Sequence, residues 1–195
     1  ELPHPHYPDQ VKNAFADWLK LVKNIDDPTL ADFITDIVYS KNGTEGIHAL
    51  LASIFGNSPF LTRLILRNPS FVHQLVTTSA EQTSAILFQE LALEARKGSD
   101  TKQLMAILRR AKARLSLLVA IADIAGAWSL EKITLTLSRF ASLVLDLCLR
   151  HLLKTESALG NINLSNNSDP CRNSGLVVLA MGKLGALELN YSSDI

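Results

Sequence analysis

From Asp9 to Leu153 the apolar residues recur at spacings of three and four, and an amphipathic helix is the element that gathers such residues onto one face. Val11, Phe15, Trp18, Leu19 and Val22 form a first stripe, and Leu30, Phe33, Ile34, Ile37 and Val38 a second. Ile47, Leu50, Leu51 and Ile54 form a third, with His48 beside it as a structural histidine. The boundaries are written in the same alphabet. Asp27-Pro28 and Ser58-Pro59 place a capping side chain before a proline at the first helical position. Asn68-Pro69 breaks the chain again before Phe71, Val72 and Leu75. Thr44 is the expected cap of the third helix, and Gly43 and Gly56 end helices.

Three longer helices follow, over about Glu81 to Lys97, Asp100 to Trp128 and Leu130 to Leu153. Ser129 caps the last, which is apolar almost all round and so reads as the central helix of a bundle. Arg139, Asp146 and Arg150 interrupt it, so it lacks the roughly 20 consecutive apolar residues of a membrane span. The lead-in ELPHPHYP holds three of the seven prolines and reads as extended and poorly ordered, and His4 and His6 lack a third ligand. The Asn- and Ser-rich stretch from Thr155 to Ser174 reads as a mobile linker. The expected organisation is an all-helical region of seven or eight helices over residues 1–154, a linker over 155–174, and a different fold from 175 to 195.

Composition narrows the function classes. Lys+Arg and Asp+Glu both number 19, so no net charge argues for a nucleic acid or an anionic membrane. Cys148 and Cys171 make neither a disulfide framework nor a zinc site, which fits a cytoplasmic protein. Arg109, Arg110, Lys112 and Arg114 cluster within two turns; a solvated face is the preferred reading over a contact with phosphate or an acidic partner.

The last stretch is different in kind. Leu176 to Met181 is a short apolar run between Gly175 and Gly182, the pattern of a buried strand. Gly182-Lys183 then gives a turn open to close approach, Leu184 to Leu189 a short helix, and Tyr191 to Ile195 a second strand carrying the carboxylate of Asp194. Strand, glycine turn with a cation, helix, and strand with Asp is a scaffold suited to a nucleotide phosphate and a divalent metal.

The whole string, Gly182, Lys183, Leu184, Gly185 followed by Glu188, Leu189, Asn190, Tyr191, Ser192, Ser193, Asp194 and Ile195, resembles the signature of the glutamine synthetase adenylyltransferase family. Ala180 and Ala186 stand where members often have glycine. Phe55 to Val72, with its FGNSP, is similar to a second family stretch. Leu108 to Ser138 is similar to a third, through Arg109, Arg110, Asp123, Gly126, Leu130 and Glu131, although Leu115, Leu117 and Leu118 are more apolar than in many members.

The resemblance implies a mainly helical chain leading into the truncated start of an α+β nucleotidyltransferase domain like that of DNA polymerase β. It implies that Asp194 is catalytic and is the first carboxylate of an Asp-x-Asp pair binding Mg²⁺. Gly182, Lys183, Ser192 and Ser193 would meet nucleotide phosphates, the two serines either donating to phosphate or, preferably, ordering the backbone. With 195 residues ending at Ile195, the pair is incomplete, and this chain alone is expected to be inactive.

The implied parent is a bifunctional regulator of glutamine synthetase, using ATP, ADP and phosphate and responding to the PII signalling protein. The long helical region before the motif points to the amino-terminal, AMP-removing half. Two other readings are a helical module that docks glutamine synthetase or PII, and the adenylylating half. A nucleotidyltransferase acting on nucleic acid is disfavoured by the neutral charge.

Overall fold

The computed structural model of the chain describes residues 2–97, 100–191 and 193. Nine helices are present among the described residues: α1 (Pro8–Val22), α2 (Pro28–Val38), α3 (Glu45–Asn57), α4 (Pro59–Arg67), α5 (Pro69–Thr77), α6 (Ala80–Lys97), α7 (Thr101–Ile124), α8 (Leu130–Ala158) and the single turn α9 (Gly182–Gly185). The chain divides into two compact units. One comprises Glu1–Ile86 with Ala113–Ala127, and the other Leu87–Lys112 with Trp128–Ile195.

Helix starts follow the cap-then-proline pattern. Asp27 accepts hydrogen bonds from the Thr29 and Leu30 N–H groups at 3.0 and 3.3 Å, and Ser58 accepts from Leu61 N–H at 3.3 Å. The expected cap at Thr44 works otherwise. The Thr44 hydroxyl donates to the Asp36 and Lys41 carbonyls, tying its helix back to the preceding turn. Asn68 donates from its amide to the Leu64 carbonyl at 2.8 Å, so its side chain closes α4 and does not cap α5.

In the first unit α1 packs on α2, α3 and α4, and α2 on α5. Its aromatic centre is Phe55, met edge-on by Phe15 and Trp18 with ring centroids 5.1 and 6.4 Å away. His48 is structural, stacked 4.6 Å from Phe15 while its Nδ1 lies 2.9 Å from the Ile37 carbonyl oxygen. The helix buried on all sides is the second half of α7, where Leu115 and every residue from Leu117 to Ala122 are buried. In the second unit α8 buries Ile133, Thr136, Ser138, Phe140, Ala141 and Leu147. In α8 Leu130 and Leu152 are 71% and 54% exposed, so its apolar residues serve one face and spill onto the other. The extra leucines at 115, 117 and 118 are packing residues of the first unit.

The lead-in also departs from expectation, because it is tied down. The Asn57 amide donates to the His4 carbonyl at 2.9 Å while its Oδ1 accepts from the His6 N–H at 3.2 Å, and the Tyr7 N–H donates to the Gly56 carbonyl at 3.1 Å. Pro5 lies where a Cβ on Gly56 would be. The FGNSP stretch is therefore architecture: Phe55 fills the core, Gly56 admits Pro5, Asn57 clamps the lead-in, Ser58 caps and Pro59 starts α4.

In the second unit the last turns of α6, the first half of α7 and all of α8 are tied to one another. Phe88 meets Phe140 edge-on at 6.1 Å, Arg110 pairs with Glu94 at 3.2 Å, and Thr101 Oγ1 lies 2.9 Å from His151 Nε2. No strand occurs among the described residues, which corrects the expectation of a buried strand at Leu176 to Met181. The run is extended and alternates. Val178 and Ala180 line a groove against α8, whereas Val177, Leu179 and Met181 are 77 to 82% exposed. A strand needs a neighbour's N–H and C=O groups to form a ladder, and no partner segment stands beside this run among the described residues. The expected second strand, Tyr191 to Ile195, falls mostly on Ser192, Asp194 and Ile195, outside the described residues, and Tyr191 lies in a turn.

Candidate functional site

The glycine turn and the segment after it are built on α8. Gly182 sits at φ +55°, the left-handed region that glycine tolerates, and a Cβ there would meet nothing within 4 Å. Gly185 is small for another reason: a Cβ would lie 2.5 Å from the Ala180 carbonyl oxygen. One glycine keeps an open approach, and the other lets the chain fold back on itself.

Helix α9 closes after a single turn. The Glu188 N–H donates to the Lys183 carbonyl at 2.7 Å while Leu187 takes φ +60°, a tight left-handed C-terminus in which leucine stands where glycine is usual. The expected helix through Leu189 therefore stops at Gly185. Lys183 is exposed and forms no ion pair among the described residues.

Leu189 then returns to the protein interior. It is 4% exposed, and its N–H donates to the hydroxyl of Ser138 on α8 at 3.1 Å. Ser138 is fully buried, and its own proton goes to the Thr134 carbonyl at 2.8 Å, so the hydroxyl is satisfied on both sides.

Beyond Leu189 the chain makes a local knot. Ser193 Oγ donates to Asn190 Oδ1 at 2.7 Å and accepts from Asn190 N–H at 3.2 Å, and the Ser193 N–H donates to the Asn190 carbonyl at 3.3 Å. The one hydroxyl proton of Ser193 is thus directed at its own turn. Ser192 and Asp194 lie outside the described residues.

The linker is also a built element. Arg150 of α8 bonds Asp146 one turn earlier at 2.7 Å and Asp169 of the loop at 2.6 Å, and these two carboxylates push its guanidinium pKa upward. Asn166 Oδ1 accepts from Ser168 N–H, Ser168 Oγ and Asp169 N–H, closing a turn around that contact. Together α8, Cys171 of this loop and the 178–184 segment enclose an open groove of about 270 Å³, lined chiefly by Leu145, Leu149, Val178 and Leu184 with Asp146 at its side. Its lining is apolar, and it does not resemble a phosphate cradle.

Among the described residues no three His, Cys, Asp or Glu side chains converge as metal ligands. The described donors do not by themselves fit Mg²⁺, which takes carboxylates together with substrate phosphates. The arginine cluster is partly engaged as well: Arg110 pairs with Glu94 in the second unit, and in the first Arg114 lies over the Phe71 ring at 5.7 Å. No helix among the described residues is long and apolar enough to cross a membrane.

The residue that sequence reasoning missed is Ser138. Its signal was a hydroxyl set between Ile133 and Phe140 in a buried stripe, where a polar group requires a partner.

Comparison with known proteins decides the family. The profile described as glutamate-ammonia ligase adenylyltransferase matches residues 48–195, three quarters of the chain and the whole of the glycine turn and its anchor. The chain belongs to this family. The bifunctional glutamine synthetase adenylyltransferase/adenylyl-removing enzyme of Rhodopseudomonas palustris (strain HaA2) is 37% identical over 193 residues, 99% of this chain and 19% of that protein. Enzymes of the same name from a Bradyrhizobium species and from Bartonella henselae are each 34% identical, over 99% and 92% of this chain. The adenylyltransferase match reaches the lead-in as well, since these alignments take in nearly the whole chain. The chain spans about a fifth of the length of these curated relatives. No solved structure matches it.

Proposed function

We propose that this chain is part of a bifunctional regulator of glutamine synthetase, from the half that removes AMP from an adenylylated tyrosine. The observation that carries the reading is the alignment with adenylyl-transferring and adenylyl-removing enzymes along 99% of the chain, the segment from Gly182 onward included. The choice of half rests on the long helical stretch that leads into that segment.

In the proposed reaction an oxygen of inorganic phosphate attacks the phosphorus of the tyrosine-bound AMP. The P–O bond to the tyrosine breaks, ADP departs, and the phenolate takes up a proton. The phosphorus centre is crowded with negative charge, so positioning and electrostatic stabilisation supply most of the rate.

In this reading Gly182 offers an open backbone approach to the nucleotide, and the exposed ammonium of Lys183 offsets phosphate charge. Ser192 contributes a hydroxyl donor, and Ser193 holds the turn. Asp194 is the catalytic carboxylate and one ligand for Mg²⁺, which supplies charge neutralisation when bound. A single carboxylate holds that ion weakly, so the activity belongs to the whole protein. The same protein is proposed to transfer AMP from ATP in its adenylylating capacity, to respond to PII, and to work in the cytoplasm.

The test uses the full-length protein with adenylylated glutamine synthetase, phosphate and Mg²⁺. ADP release that disappears in Asp194→Asn is the expected result. Release of ADP unaffected by that substitution places the chemistry elsewhere. If AMP incorporation from ATP is what Asp194→Asn abolishes, the chain comes from the adenylylating half.

A further inference from the structure

We infer that Ser138 is a positioning residue that holds the turn between Asn190 and Ser193 against α8, directly before Asp194 in the sequence; the purpose of that placement rests on the function proposed above. The tie is short and closed. Ser138 Oγ spends its proton on the Thr134 carbonyl at 2.8 Å, which leaves a lone pair aimed away from that carbonyl for the Leu189 N–H at 3.1 Å. Both partners are in the interior, Ser138 fully buried and Leu189 4% exposed, so no water stands in for the hydroxyl when it is removed.

Leu189 is followed directly by Asn190, whose N–H, carbonyl and side-chain oxygen all meet Ser193. The chain of bonds therefore runs from a buried helix position to the residue immediately before Asp194. Helix α8, 29 residues long and carrying Ile133, Phe140, Ala141 and Leu147 in the core, is the firm side of the tie. The turn is the side that moves when it breaks. A reacting carboxylate displaced by about 1 Å loses on the order of a hundredfold in rate, so a single hydrogen bond five residues upstream is within reach of the chemistry.

The experiment is made on the full-length enzyme, with hydrogen exchange as a readout independent of turnover. In Ser138→Ala the Leu189 amide is expected to exchange about tenfold faster or more. AMP removal from glutamine synthetase is expected to lose about ten- to a hundredfold in kcat, with KM for glutamine synthetase unchanged.

Ser138→Thr keeps a hydroxyl that can bond the carbonyl four residues back, as helical threonines do, and restores both readouts. Ser138→Val has nearly the same shape without the oxygen and restores neither. Should the alanine variant fail to fold, this threonine–valine pair decides the matter. Equal behaviour of the pair, unchanged exchange at Leu189, or faster exchange with unaltered kcat each overturns the assignment. Asp194→Asn run in parallel separates the two readings: if it retains turnover, the proposed site fails, while the exchange data still report the tie between Ser138 and Leu189.

Discussion

Asn57 shows how much one side chain settles. Its amide bonds the carbonyl of Ser53 in its own helix and that of His4, and its oxygen takes the His6 N–H. With Gly56 admitting Pro5, the lead-in is fixed by one glycine and one asparagine. Gly56→Ala is therefore expected to destabilise the protein by about 1–3 kcal/mol, because the added methyl overlaps Pro5 and the backbone there must move. Asn57→Ala should cost less, about 1 kcal/mol, since its bonds to the lead-in are exposed to water. Urea unfolding measures both, and exchange at the His6 and Tyr7 amides should quicken in each. A Gly56→Ala protein as stable as the parent would show that the lead-in is not held there. The proline-rich composition of residues 3–8 argued for disorder, and the feature that reversed it was fifty residues away, which no local pattern reports.

Among the elements, the helices were legible and their burial was not. Starts at Pro28 and Pro59 followed from a capping residue beside a proline, a local rule, and both caps formed as expected. How far a helix is buried depends on what surrounds it. Helix α8 has the more apolar sequence, yet six consecutive residues of α7, Leu117 to Ala122, are buried. The cluster Arg109, Arg110 and Lys112 just before them reads as a solvated face, and it does not announce the burial that follows. Two truncations separate the readings. Leu118→Ala is expected to cost about 2–5 kcal/mol, the penalty for a cavity at a fully buried leucine. Leu152→Ala, at a position 54% exposed, should stay within about 0.5 kcal/mol. Chemical unfolding of the two variants side by side checks the order. Equal losses would show that burial at Leu118 adds nothing to stability.

For the molecule as a whole, the glycine turn, its lysine and the family were legible in the sequence, because GKLG and ELNYSSD carry their meaning in residue identity. The anchor was not, because Ser138 acquires its role only when Leu189 arrives 51 residues later in the chain. The run from Leu176 to Met181 lies between the two cases. Its composition is that of a strand apolar on both faces, and its conformation alternates as a strand does, but only the Val178 and Ala180 side faces the groove beside α8, with Val178 still 53% exposed. The opposite face, with Val177, Leu179 and Met181, is exposed and apolar, and among the described residues the run lies in no backbone ladder, the arrangement that draws another strand. The 195-residue chain is accordingly expected to self-associate through this run as its concentration rises. Val177→Lys combined with Leu179→Lys should keep it monomeric by light scattering while leaving its helical circular dichroism and unfolding midpoint unchanged, since neither side chain is in the core. Association that persists in the double variant would assign the contact to another surface. In the full-length protein the same pair of lysines should leave stability lower where the run pairs as a strand that needs apolar cover on this face, which urea unfolding of the two full-length proteins checks.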